Sequence, residues 1–163
     1  MNRLQQCMTA VAALSSLFAG SAWGAGRLDV EAGWIRPAPP GVSMLAGYAR
    51  LHNSGDAPLR VTAVESTAFG AVSIHETTLV DGVSRMRELA GLSIDAGASA
   101  TLEPGGKHLM LMEPAQSTEA GGSVRIVFVL DDGSRVPAEF TVADRAPATG
   151  HGHADHDHAG HAH

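Results

Sequence analysis

Residues 105–114 read GGKHLMLMEP. A strand sends successive side chains to opposite faces. Leu109 and Leu111 can therefore enter a core while His108, Met110 and Met112 share the other face. An imidazole and two thioethers in a row pack a sandwich poorly and suit a soft cation well. Taken singly, each position has an ordinary alternative, a core methionine or a surface or hydrogen-bonded histidine.

The same alternation runs through most of the chain. Short β-prone runs occur at about 28–35, 46–52, 59–65, 71–79, 83–89, 98–102, 108–112, 123–130 and 134–142. The segments between them, NSGDAP, DG, EPGGK, STEAGG and DDGS, carry the Gly, Pro, Asn and Asp of tight turns. No segment holds a helical period beyond about two turns, and no internal repeat is present. This pattern predicts an all-β fold, a β-sandwich or barrel.

The ends of the chain differ from its middle. Arg3 precedes an apolar stretch from about Met8 to Gly20, and small residues follow at Ala22 and Gly24. Residues 1–24 therefore read as a cleavable secretory signal peptide, which places the protein in the periplasm. The stretch is shorter than the roughly 20 residues of a membrane span, and no later segment is long enough. Cys7, the only cysteine, lies ahead of the apolar stretch rather than just after the cleavage point, where a lipoprotein cysteine stands. The mature chain then has no disulfide and no thiolate, so any metal must be held by His, Met or carboxylates. Losing Arg3 with the leader leaves 10 Lys and Arg against 17 Asp and Glu, a net charge near −7 with histidine neutral. That balance disfavours nucleic-acid binding, which needs a basic surface. Residues 25–145 suffice for one globular domain. Residues 146–163 should form a disordered tail.

A second stretch, SIHETTLVDGVSRMREL, supplies the partners for the first. An Asp-Gly pair between β-prone runs favours a two-residue hairpin turn. With Asp81 and Gly82 as that turn, Val80 faces Val83 and Thr77 faces Met86. His75 then lies diagonally from Met86 on one face, with backbone positions about 7–8 Å apart. Another turn register would separate the two. Placed beside this hairpin, the HLMLM strand completes an inventory of His75, Met86, His108 and Met110. Two imidazoles and two thioethers, all uncharged, select Cu(I). Ca(II) and Mg(II) need oxygen clusters, and Zn(II) gains little from thioethers. Neutral donors suit temporary holding better than a thiolate, which can be oxidised outside the cytoplasm. Met112 shares the face as a second-tier ligand, Met44 reads as packing, and His52 reads as a surface residue. Three of the four methionines beyond the leader fall in these two stretches.

The long spacings bring a resemblance with them. His75, ten residues, Met86, twenty-one residues, His108, one residue, Met110 resembles the metal motif of the periplasmic copper chaperone family called PCuAC. The surrounding PGGKHLMLM, RPAPPG and GYARLHN are similar to that family too, and the likeness covers about residues 28–142. It implies a cupredoxin-like Greek-key β-sandwich or barrel with Cu(I) bound by His75, Met86, His108 and Met110. It also implies delivery to the dinuclear copper centre of respiratory oxidase subunit II, alongside Sco-type proteins.

The tail reads HGHADHDHAGHAH and holds His151, His153, His156, His158, His161 and His163. Interspersed imidazoles with Asp155 and Asp157 suit additional copper as Cu(II), or Zn(II) or Ni(II). Their affinity should fall as imidazoles protonate below about pH 6.5; a purely solubilising tail is the alternative. Three other functions compete with a chaperone. Electron transfer through blue copper requires a cysteine thiolate, which the mature chain lacks. Catalysis finds no Ser/His/Asp or Cys/His arrangement, and Glu76, the carboxylate beside the histidines, alternates to the face opposite His75. A metal buffer acting mainly through the tail is the serious rival.

Overall fold

The computed structural model describes residues 26–39, 41–116 and 118–146. The leader expected over residues 1–24 and the six tail histidines lie outside them. Ten strands make up the described chain: β1 (Leu28–Arg36), β2 (Met44–Asn53), β3 (Leu59–Glu65), β4 (Phe69–Val80), β5 (Val83–Glu88), β6 (Leu92–Ile94), β7 (Ser99–Leu102), β8 (Lys107–Pro114), β9 (Ser123–Leu130) and β10 (Arg135–Val142). No helix occurs among the described residues.

The strands join in the order β5-β4-β8-β2-β1-β10-β9-β3-β6, with β7 also paired to β2. Hairpins link β4 to β5 and β9 to β10, whereas β2–β8 and β1–β10 bring together strands far apart in sequence. These crossed connections are the Greek-key feature of the expected sandwich. The β1–β10 pairing is parallel, and through it the two halves of the sheet fold over one core. Ile35, Leu51, Val61, Leu109, Leu111, Ile126, Phe128 and Phe140 are all fully buried there. Leu109 and Leu111 thus occupy the inward positions that alternation assigns them.

A bulge sets the outer face. Between Glu31 and Trp34, β1 carries one more residue than β2 opposite it, and Ala32 takes a φ of 51°. The extra residue reverses the parity of the strand. Leu28 points inward before it and Ile35 after it. Gly33 is required at this point, because a Cβ there would sit 2.9 Å from the Phe140 ring. Trp34 and Tyr48 pair across the strands on the outer face, ring centroids 4.6 Å apart.

Nine strands match the sequence reading, and β6 is additional. Its three residues offer only two inward positions, Leu92 and Ile94, too few to register as a period. Strands β2 and β4 also begin two residues earlier than expected. The earlier start of β2 brings Met44 into the sheet.

Candidate metal centre

Asp81 and Gly82 both have positive φ, 53° and 77°, as a type I′ turn demands of its two central residues. Val80 pairs with Val83 and Thr77 with Met86, the register deduced from the Asp-Gly pair. On the other side of β4, His75 pairs directly with His108 and Ser73 with Met110. Residues opposite one another share a face. His75, Met86, His108 and Met110 therefore stand on the outer face of three adjacent strands, β5, β4 and β8.

Burial is graded across this group. His108 is 7% exposed, His75 and Met110 are half-buried, and Met86, on the edge strand, is 54% exposed. The group is thus anchored at His108 and opens towards Met86. The His75 and His108 ring centroids are 6.0 Å apart.

The hydrogen bonds decide which ring nitrogens are free. His108 Nδ1 lies 3.0 Å from the carbonyl oxygen of Gly106. A carbonyl only accepts, so Nδ1 carries the proton and Nε2 keeps its lone pair. His75 Nε2 lies 2.9 Å from Ser73 Oγ. His75 Nδ1 is buried and has no hydrogen-bond partner. A buried polar atom left unpaired is costly and calls for an explanation. A bound cation supplies one.

Behind the group, on the opposite face, Glu76 bridges Lys107 at 3.1 Å and Arg87 at 2.6 Å. These three charges tie β8, β4 and β5 together, and the two cations hold the Glu76 carboxyl below the usual carboxylate range, Lys107 contributing most. Glu76 is on the side alternation gave it and is no ligand. The sequence reading overlooked Glu88, which pairs with His75 on the outer face. One more step of the hairpin count would have found it. No three His, Cys, Asp or Glu side chains converge among the described residues, so an all-nitrogen-and-oxygen site is not assembled there.

The remaining candidates fall elsewhere. Met112 pairs with Ala71 and with Met44, one same-face step along β8 from Met110. Met44, expected to pack, is instead 47% exposed. It lies on the outer face of β2, not in the loop before it. His52, expected at the surface, is half-buried, with Nδ1 within 3.0 Å of Ser99 Oγ and 3.1 Å of the Ala98 carbonyl. It holds β7 to β2, far from the metal group.

No described helix is long and apolar enough to cross a membrane. The family model described as "Putative lipoprotein LpqE-like" matches residues 28–142, the whole β domain. The chain is 32% identical over 118 residues to the "Putative lipoprotein Lxx21020" of Leifsonia xyli subsp. xyli, covering 72% of this chain and 70% of that protein. Among solved structures it is similar to the apo PCuAC domain from PmoF1, at 27% identity and a TM-score of 0.59, covering 75% of this chain and 96% of that one. It is also similar to the Cu(I) form of DR1885 from Deinococcus radiodurans, at 26% identity and a TM-score of 0.54, covering 73% and 76%.

Proposed function

The chain belongs to the LpqE-like family, and from that premise we propose that it is an exported copper chaperone that carries Cu(I) on His75, Met86, His108 and Met110. The register of β5, β4 and β8 carries the proposal: it sets two imidazoles side by side with two thioethers on one face. The unpaired Nδ1 of His75 supports it, as does the copper bound by similar solved structures.

The donor set fits a cargo better than a resident cofactor. Uncharged nitrogen and sulfur donors stabilise the monovalent ion without a thiolate. The exposure of Met86 leaves one ligand that an incoming donor can displace. Redox or hydrolytic chemistry is not part of the reading.

Export to the periplasm is supported by the leader in the sequence and by the lipoprotein descriptions of its relatives. The recipient we propose is the dinuclear copper centre of respiratory oxidase subunit II, reached alongside Sco-type proteins, as the resemblance to the PCuAC family implies. The six tail histidines would bind additional copper.

Competition for Cu(I) against a chromogenic chelator tests the core of this reading. His108→Ala and Met86→Ala should each weaken binding at least about tenfold, equivalent to about 1.4 kcal/mol, with the far-ultraviolet spectrum unchanged. Unchanged affinity in both variants would end the proposal. Six imidazoles within thirteen residues support a second reading, a buffer for copper, zinc or nickel. Deleting residues 146–163 separates the two, since a buffer loses most of its capacity and a chaperone keeps its tight Cu(I) site.

A further inference from the structure

Met44 and Met112 are direct cross-strand partners on β2 and β8, on the same outer face as the metal group. Directly opposed residues have Cβ atoms about 4.5–5.5 Å apart, a span over which two flexible thioether side chains reach a common atom. Met44 is 47% exposed and Met112 is half-buried, so the pair faces solvent rather than the core. Their neighbours towards Met110 are small, and Arg36, opposite Ala46 on β1, lies over the Trp34 ring, 5.6 Å from its centroid. Ala71 lies across from Met112 on β4, and Ala46 and Ser73 flank Met110. Nothing bulky at those positions walls the pair off from Met110, which is about 7 Å along β8 and diagonal to Met44.

We propose that Met44 and Met112 form a second, thioether-only site for a soft monovalent cation, and that it loads and unloads the His75–His108 group through Met110. Two thioethers without an imidazole or an anion exclude hard and borderline divalent ions. They also hold a monovalent ion less firmly than four donors do, which suits a transit site. The second site itself rests on its own two residues, and its loading role rests on the proposed four-residue carrier. No oxidation or proton transfer is involved, because thioethers bind in their neutral form and the ion exchanges one sulfur for another.

The test uses the full chain labelled with carbon-13 at the methionine methyls and titrated with Ag(I), a redox-inert soft cation. The Met86 and Met110 methyls should shift first. Those of Met44 and Met112 should then shift together, with one midpoint. Met44→Leu should abolish the Met112 response, and Met112→Leu the Met44 response, with Met86 and Met110 unaffected. Both replacements are volume-conserving and tolerated by the fold. Met44 and Met112 resonances that stay fixed while Met86 and Met110 move would overturn the second site. So would a Met112 response that survives Met44→Leu. If Met44 and Met112 move as a pair while Met86 and Met110 do not, the second site stands, and both the four-residue carrier and the loading through Met110 fall.

Discussion

His75 and His108 face each other across β4 and β8, and each already has one ring nitrogen committed to a neighbour. Gly106 fixes the tautomer of His108, and Ser73 sits against Nε2 of His75. The nitrogens left over are His108 Nε2 and His75 Nδ1, the latter open to a cation in the tautomer whose Nε2–H donates to Ser73 Oγ. The hydrogen bonds of this group orient ligands in the way that outer contacts do at metal sites generally.

Ser73→Ala should therefore weaken Cu(I) binding although the serine is no ligand. Loss of such an outer contact typically costs about 10–100-fold in affinity. Chelator competition measures the loss. Ser73→Thr, which restores a hydroxyl, should recover most of it, and a failure of that rescue would make Ser73 a mere packing residue.

Met86 should act on Cu(I) affinity mainly through the off-rate. It is the most exposed member of the group and stands on the edge strand β5, where every residue is exposed. Met86→Ala should raise the Cu(I) off-rate to a chelator by at least about tenfold, read by stopped-flow absorbance. His108→Ala should instead abolish a tight complex altogether, because the buried anchor is gone.

Much of this arrangement was legible in the chain. The Asp81-Gly82 pair carried the hairpin register, and with it the diagonal from His75 to Met86. The alternation of HLMLM carried the inward leucines. What could not be read were relations with no local period. The pairing of β8 with β2, which sets Met112 beside Met44, joins residues 68 positions apart. The bulge in β1, which turns Trp34 outward, breaks the alternation that sequence reading depends on. Asn53 had the character of a turn residue, yet it is fully buried.

Asn53 organises the end of the sandwich away from the metal group. Its side-chain nitrogen donates to the carbonyls of Ala57 at 2.8 Å and Ile94 at 3.1 Å. Its oxygen accepts from the backbone amides of Arg27 at 3.2 Å and Gly55 at 3.0 Å. Asn53→Ala leaves those backbone groups without their partner, at a cost of about 2–4 kcal/mol for several bonds worth about 1 kcal/mol each. Urea denaturation should show that loss while Cu(I) affinity stays unchanged, since His75 and His108 lie on other strands.

Acid should loosen the metal group from behind. The carboxyl of Glu76 lies below its ordinary value of 4.5, through hydrogen bonds first from Lys107 and then from Arg87. Glu65 beside Arg135 and Glu139 beside Arg125 are lowered in the same direction. Each ionises more readily in the folded chain than in the unfolded one, so the unfolded chain binds more protons in acid. Their stabilisation is complete above pH 4.5 and is lost as the pH falls below it towards the folded-state value. The Glu65 and Glu139 pairs are exposed and individually weak, but Glu76 spans the three strands that carry the ligands. Amide protection in β5, taken relative to the intrinsic exchange rate at each pH, should fall below pH 4.5 in the wild type. Glu76→Gln should be less protected already at neutral pH and change less with acid. Equal pH dependence in the two proteins would remove Glu76 from the account.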